Sequence, residues 1–230
     1  MSLPLVLLPG MMCDGRLFAP QMAALGRRAV QVSPVTEHDS VQALAAEVLA
    51  HAPPRFALAG LSMGGIVAME VARQAPDRVD RLALLDTNPR AEAPEVQANR
   101  VPQIERARAN GVETVMRDEM KPNYLAPGAG REAILDLCMD MALALGVDVF
   151  ARQSIALRDR PDQQDTLRAF HGPALVLMGE HDRLCPLDRH ELMHRLMPQS
   201  VLTIVPDAGH LSTLENPEKT TAALLRWLEE

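Results

Sequence analysis

The sequence predicts a doubly wound α/β fold, in which helices cover both faces of an open parallel β-sheet. Short, almost entirely apolar runs alternate along the chain with stretches of helical periodicity, and Gly, Pro or Asp bounds most of the runs. Such runs are typical of strands that are buried on both faces, as in parallel sheets. With 230 residues, 47% of them hydrophobic, the chain is long enough to bury one large core.

Six apolar runs are predicted to be strands. They are Leu3–Leu8, Ala29–Val32, Phe56–Leu61, Leu82–Asp86, Ala174–Met178 and Val201–Val205. Stretches of helical periodicity between and after these runs are predicted to be helices. They are Leu17–Leu25, Val41–His51, Met63–Gln74, Leu187–Met197 and Glu215–Glu229. Strands and helices in this alternation are the pattern of consecutive βαβ units.

The alternation breaks once, between Asn88 and about Arg160, where no run reads as a strand. The helical segments predicted in this stretch are Glu95–Asn110, Val112–Met120, Arg131–Leu145 and Asp148–Arg158. Ligands of open α/β folds bind at the carboxyl edge of the sheet, where such an insertion would cover them. We therefore predict a helical lid over residues 89–160 and a core made of residues 1–88 and 161–230.

Composition excludes several classes of partner and location. The net charge is −7, whereas nucleic acids and anionic lipids bind clustered positive charge. Three scattered cysteines (Cys13, Cys138 and Cys185) form no disulfide framework or CxxC pair and fit a reducing compartment. No basic residue precedes the first apolar run, and no run is long enough to span a membrane. The composition predicts a soluble cytoplasmic protein without nucleic-acid or membrane partners.

The strongest local motif is Gly60–Gly64, with the sequence GLSMG, at the junction between a predicted strand and a predicted helix. A serine at such a tight turn projects its hydroxyl above the carboxyl edge of the sheet. The N-terminus of the following helix favours negative charge at the same place. Ser62 is therefore the candidate nucleophile.

A serine hydroxyl needs a nearby imidazole to accept its proton, and the imidazole needs a carboxylate to orient it. His210 follows the last predicted strand, and Asp182 follows the strand before it, so both are expected at the same edge as Ser62. Asp86 is the alternative acid, while Asp207 is close to His210 along the chain. The order nucleophile, acid, base is that of hydrolases with a nucleophile elbow.

The tetrahedral intermediate of acyl transfer also needs two backbone N–H donors for its oxyanion. One is expected from Met63, which follows the nucleophile. The other is expected from Met11, because Pro9 and Gly10 turn the chain sharply after the first strand.

The chain resembles the α/β-hydrolase family over nearly its whole length, on the segments LLPGMM, GLSMGG, MGEHDRLCP and DAGH. It is most similar to small lidded serine esterases, a group that includes carboxylesterases, enol-lactonases, acyl-carrier methyl esterases and meta-cleavage C–C hydrolases. The resemblance implies that Ser62 is the nucleophile, Asp182 the acid and His210 the base. It implies that Met11 and Met63 donate to the oxyanion.

The chain departs from the family pattern in two places. The family usually has His-Gly where this chain has Pro9-Gly10, so the turn is kept without the imidazole. The first apolar run also corresponds to the third strand of the family. We therefore predict a six-stranded, all-parallel sheet in the order 2-1-3-4-5-6, without the first two strands of the family.

One motif competes with this interpretation. His190-Glu191-Leu192-Met193-His194 matches the H-E-x-x-H helix of zinc peptidases. The extended form of that motif requires Gly and His at positions that are Met197 and Ser200 here. We expect instead a packing helix whose histidines lie toward its polar side.

The sequence thus predicts a serine hydrolase that cleaves a carboxylic ester, or a related small acyl compound, through an acyl-enzyme and without a cofactor. A C–C bond hydrolase or an acyl thioesterase could use the same residues. A non-catalytic sensor of the same fold and a zinc peptidase are less favoured alternatives. A serine nucleophile argues against dehalogenases and epoxide hydrolases, because their alkyl-enzyme chemistry needs a carboxylate.

Overall fold

A computed structural model describes residues 2–128 and 131–229 of the chain. The two terminal residues of the predicted core, and residues 129 and 130 of the predicted lid, lie outside the described residues. The described chain forms a six-stranded parallel sheet in the order β2-β1-β3-β4-β5-β6, which confirms the predicted sheet. The strands are β1 (Leu5–Leu8), β2 (Val30–Val32), β3 (Phe56–Leu61), β4 (Val79–Leu85), β5 (Ala174–Gly179) and β6 (Val201–Val205).

The central strands are apolar because helices cover them on both sides. Every residue of β1, β3 and β5 is buried, whereas Val201 and Ile204 are exposed on the edge strand β6. Strand β4 begins three residues before the predicted start at Leu82. Polar residues in this first part of the strand interrupt the apolar run on which the prediction was based. Arg81 pairs with Ala57 in the sheet, and its guanidinium donates to a backbone oxygen of the C-terminal helix.

The helices that pack on the sheet largely match the predicted ones, and the bounds of α2 and α3 are those predicted. These helices are α1 (Ala19–Ala24), α2 (Val41–His51), α3 (Met63–Gln74), α8 (Leu187–Leu196), α9 (Ser212–Glu215) and α10 (Pro217–Glu229). The predicted first helix is divided into a 3₁₀ turn over Gly15–Phe18 and α1. The predicted last helix is divided at Asn216, whose backbone is not helical, because Pro217 starts a new helix.

Between β4 and β5, the described residues form four α-helices beside short π-helical and 3₁₀ turns. The α-helices are α4 (Pro94–Asn110), α5 (Val112–Val115), α6 (Glu132–Arg158) and α7 (Gln164–Ala169). Helix α6 is interrupted at Gly146, whose φ of 80° is not helical, so its two parts correspond to the two predicted segments. The described part of the 89–160 segment contains no strand. Its role as a separate lid stays a prediction.

None of the helices in the described part of the chain has the length and apolar character needed to cross a membrane.

Candidate active site

Ser62 lies in a strained turn between β3 and α3. Its φ of 54° and ψ of −116° are unusual for a residue with a side chain, and such a conformation costs on the order of 1–3 kcal/mol. Two hydrogen bonds hold the strained residue: its N–H donates to Leu85 O at 2.9 Å, and the Thr87 hydroxyl donates to Ser62 O at 2.7 Å. The turn therefore directs the serine hydroxyl above the carboxyl edge of the sheet.

The glycines of the motif are required by close backbone packing. A Cβ atom on Gly60 would lie 2.2 Å from Gly64 O, and one on Gly64 would lie 2.0 Å from Leu8 O. Neither position can accept a side chain unless the backbone moves. The spacing of the GLSMG motif thus has a steric origin in the contact between β1, β3 and the start of α3.

The structure brings the three predicted triad side chains together. The Nε2 atom of His210 lies 2.8 Å from Ser62 Oγ, so it can accept the hydroxyl proton. On the other side of the ring, the Nδ1–H of His210 donates to Asp182, at 2.9 Å from Oδ2 and 3.0 Å from Oδ1. Three loops from one edge of the sheet therefore form a continuous chain of hydrogen bonds.

The electrostatics of the buried pair stabilise the carboxylate of Asp182 and the protonated form of His210. Burial alone would raise the pKa of Asp182, but the charge and hydrogen bond of His210 and an N–H from Cys185 bring that pKa below its ordinary value. Burial alone would lower the pKa of His210, but the charge and hydrogen bond of Asp182 raise it above its ordinary value. The site thus stabilises the imidazolium that forms when a base accepts a proton.

Asp86, the alternative acid, is also buried at this edge, but its oxygens are engaged elsewhere. Its Oδ1 accepts from Gly179 N at 2.8 Å, and its Oδ2 accepts from the Ser212 hydroxyl at 2.5 Å. Burial, followed by the nearby charge of Asp182, raises the pKa of Asp86 well above its usual range. Between the two carboxylates, the geometry favours Asp182 as the partner of His210.

Two backbone N–H groups beside Ser62 are available to a ligand. In the described chain, neither Met11 N–H nor Met63 N–H donates to a protein acceptor, and both residues line the same cavity as Ser62. The neighbouring Met12 N–H donates to Oε1 of the buried Gln153 side chain of α6 at 2.9 Å. Sequence analysis missed Gln153, because 141 residues separate it from Met12 and no local pattern links them.

The loop that carries His210 is attached to the 89–160 segment. The His210 N–H donates to Tyr124 O at 2.7 Å, and the two rings lie 6.2 Å apart. On the same loop, the backbone of Gly209 approaches that of Tyr124 so closely that a Cβ atom would lie 2.7 Å from Tyr124 O. His210 is therefore positioned by the sheet and by the helical segment together.

Glu215 connects the same two parts of the chain. Its fully buried carboxylate accepts from Gly209 N at 2.9 Å and Leu211 N at 3.1 Å with Oε1, and from Ala126 N at 2.8 Å with Oε2. The Arg131 guanidinium contacts the same carboxylate. Nothing in the local sequence indicates that Glu215 contacts the His210 loop.

The H-E-x-x-H residues do not form a metal site. His190 is fully buried, not on the polar side as expected, and its Nε2 accepts from Thr87 N at 3.3 Å. Burial lowers the pKa of His190 to about 4. His194 is hydrogen-bonded to the Ser200 hydroxyl at 2.8 Å. Among the described residues, the one cluster of three potential ligands consists of Asp182, Cys185 and His210, so it includes two of the three predicted triad residues.

A cavity of about 680 Å³ opens onto the triad. Ser62 and His210 line it, together with the methionines Met11, Met63 and Met120. Its volume is in the range of small-molecule sites. A substrate in this cavity would meet the serine hydroxyl and the two available N–H groups.

Comparison with known proteins identifies the family to which this chain belongs. A family profile described as "Alpha/beta hydrolase family" matches residues 5–224 of this chain. The pimeloyl-(acyl-carrier protein) methyl ester esterase of Klebsiella pneumoniae is 29% identical over 197 residues, covering 81% of this chain and 74% of that enzyme. Two longer curated relatives are matched over 45% and 58% of their own length, so the chain spans about half of each.

Solved structures show the same fold. A thermophilic esterase from Thermogutta terrifontis, with malate bound, is 31% identical with a TM-score of 0.91, covering 100% of this chain and 90% of that chain. The enol-lactonase of Burkholderia xenovorans is 24% identical with a TM-score of 0.88, covering 100% of this chain and 93% of the other. At that identity the second likeness concerns the fold alone.

Proposed function

The chain belongs to the alpha/beta hydrolase family, and we propose that it is a serine hydrolase that cleaves a carboxylic ester through an acyl-enzyme. The observation that carries this proposal is the continuous hydrogen-bond chain from the Ser62 hydroxyl through His210 to Asp182. No cofactor takes part in the proposed reaction.

In the proposed mechanism, His210 Nε2 accepts the hydroxyl proton while Ser62 Oγ attacks the ester carbonyl. The N–H groups of Met11 and Met63 stabilise the oxyanion, and the Asp182 carboxylate stabilises the imidazolium. His210 then returns the proton to the leaving alcohol. A water molecule, activated by the same imidazole, attacks the acyl-enzyme and releases the acid.

The proposed substrate is a small acyl compound that enters the cavity of about 680 Å³ beside Ser62. Two of the relatives are named as esterases, which favours an ester over a thioester or a C–C bond. The absence of nucleic-acid and membrane partners and the cytoplasmic location remain part of the proposal. A panel of matched esters, thioesters, lactones and β-diketones tests the bond that is cleaved, and the highest kcat/KM is expected for an ester.

Labelling with a fluorophosphonate, followed by mass-spectrometric mapping, tests the nucleophile. We expect covalent labelling at Ser62, because the probe phosphonylates only an activated serine. Labelling should be lost in His210→Ala and retained in His51→Ala, a matched control whose exposed imidazole contacts Glu47 outside the cavity. If Ser62 stays unlabelled in wild-type protein that is folded by circular dichroism, the proposal is wrong.

A further inference from the structure

Two arginines and one carboxylate form a cluster in the wall of the cavity that contains Ser62. Arg100 and Arg160 both contact Glu92, with N–O distances of 2.6 Å and 3.1 Å. All three residues line the cavity. Their side chains are only 14%, 8% and 7% exposed in the order Arg100, Arg160, Glu92, so solvent screens the cluster weakly.

The cluster has hydrogen-bond donors left over. Arg100 uses Nε and Nη2 for Glu92, and its Nη1 has as its described partner only the thioether sulfur of Met11, at 3.9 Å. Arg160 uses Nε for a backbone oxygen of Arg90 and Nη2 for Glu92. In the part of the chain that the structure describes, the Nη1 of neither arginine donates to an oxygen. A ligand oxygen can therefore bind there.

The cluster also has a positive charge left over, because one carboxylate faces two guanidinium groups. Burial lowers the pKa of Arg160 in spite of the nearby charge of Glu92, as expected when a cation is not fully compensated. Arg90 and Arg189, which line the cavity, both contact Asp188, and the acidic Glu119 and Asp162 also line it. The excess positive charge is therefore local to the Arg100–Glu92–Arg160 cluster, and it contrasts with the −7 of the whole chain.

We propose that Arg100 and Arg160 bind a carboxylate of the substrate, so that the enzyme prefers esters that carry a second, free carboxylate. A planar carboxylate fits the guanidinium fork and would give two cations facing two anions. The contact between Arg100 and Met11 places this subsite beside a proposed oxyanion donor, so we expect a short carbon chain between the ester carbonyl and the carboxylate. The inference names a substrate class for the proposed hydrolase and rests on that function.

A purely structural cluster would predict a different result. An interior Arg–Glu–Arg group can serve packing alone, and its loss would then lower the activity toward all substrates by one factor. A carboxylate subsite changes the ratio between charged and neutral substrates. The overall negative charge of the chain would by itself disfavour an anionic substrate, so a preference for one requires a local site.

The kinetic test compares monomethyl glutarate with dimethyl glutarate by kcat/KM per ester group. We expect wild-type enzyme to prefer the half-ester about tenfold or more, the effect of a charge-assisted hydrogen bond. Arg100→Met and Arg160→Met should bring the ratio toward one, and Arg100→Lys, which keeps the charge but loses the fork, should give an intermediate ratio. Arg158→Met removes an exposed ion pair with Asp159 and should keep the wild-type ratio.

The same comparison with acetoxyacetic acid and its methyl ester distinguishes the two positions of the carboxylate. A preference for monomethyl glutarate places the carboxylate on the acyl side of the ester. A preference for acetoxyacetic acid places it on the alcohol side. If wild-type enzyme prefers the neutral ester in both pairs, or shows equal kcat/KM within each, the inference is overturned although the proposed function stands.

Calorimetry with glutarate tests the subsite without turnover. Ser62→Ala protein should bind glutarate at one site, and adding Arg100→Met should weaken binding about tenfold or more. An absence of glutarate binding in folded Ser62→Ala protein contradicts the inference, whatever the esterase activity. If glutarate binds but wild-type Ser62 is neither labelled by fluorophosphonate nor active on esters, the subsite stands and the proposed hydrolase is wrong.

Discussion

Replacing Asp182 by Asn tests the triad most directly, because it changes the charge of the acid with little change in its shape. Asp182 Oδ1 accepts from the N–H groups of Leu184 and Cys185, both at 2.9 Å. An asparagine keeps these two bonds only when its carbonyl oxygen occupies the Oδ1 position. Its NH₂ group then faces His210 Nδ1, whereas the wild-type carboxylate accepts a hydrogen bond from Nδ1–H at this position.

The imidazole is expected to respond by changing tautomer. With an NH₂ group opposite Nδ1, the favoured neutral ring carries its proton on Nε2, which then cannot accept the hydroxyl proton of Ser62. The wrong tautomer in such a triad lowers kcat about 10⁴-fold, which corresponds to about 5 kcal/mol of transition-state stabilisation. The loss of stability should be much smaller, because the two backbone hydrogen bonds remain.

The assay measures kcat and the thermal midpoint of Asp182→Asn beside those of Asp86→Asn. Asp86 is not positioned to replace the lost acid: in the described chain its oxygens accept from Gly179 N and the Ser212 hydroxyl, and His210 donates to Asp182. We therefore expect Asp86→Asn to keep far more activity than Asp182→Asn. If Asp182→Asn is nearly as active as wild type while Asp86→Asn is inactive but folded, the acid has been wrongly assigned.

Three further predictions follow from the geometry. The pKa of His210 is raised above its ordinary value of 6.5, and only the neutral ring accepts a proton. We therefore expect kcat/KM to fall as the pH drops through this raised pKa. A pH profile in which kcat/KM falls only below pH 6.5 contradicts the prediction. Gly64→Ala should give little folded protein by circular dichroism, since its Cβ would lie 2.0 Å from a β1 carbonyl oxygen, whereas Gly15→Ala, with its nearest neighbour at 3.7 Å, should fold. Glu215→Gln should lower the free energy of unfolding, measured in urea, by about 3 kcal/mol, because it leaves the Arg131 charge without its buried partner. A decrease below about 1 kcal/mol would contradict that role of Glu215.

The sheet and the grouping of Ser62, His210 and Asp182 could be predicted because their signals are local. An apolar strand bounded by turn residues is visible in a short window, and the bounds of β3 and β6 agree with the predicted runs. The GLSMG motif indicates the tight turn at Ser62, because the close backbone packing that requires glycine at positions 60 and 64 involves a short stretch of sequence. Asp182 and His210 could be found because parallel topology brings the carboxyl ends of β5 and β6 to the same edge as Ser62.

The residues that surround the triad could not be predicted, because long-range packing selects them. The side-chain contact of Gln153 with Met12 has no signature in either segment. The prediction that the histidines of the H-E-x-x-H helix lie toward its polar side was wrong for His190. Its ring is buried and accepts a hydrogen bond from Thr87 N. Polar side chains that complete a buried network look like surface residues in a sequence.

The same contacts give the 89–160 segment a role beyond lining the cavity. The Tyr124 carbonyl oxygen holds the backbone N–H of His210, and the Gln153 side chain holds the N–H of Met12, next to the proposed oxyanion donor. Arg100 of the same segment contributes to the cavity wall. Because one segment positions His210, supports the loop of the proposed oxyanion donor and lines the cavity, a change in it that alters substrate preference is also expected to alter kcat. Substrate preference and catalytic geometry are therefore coupled through shared backbone contacts.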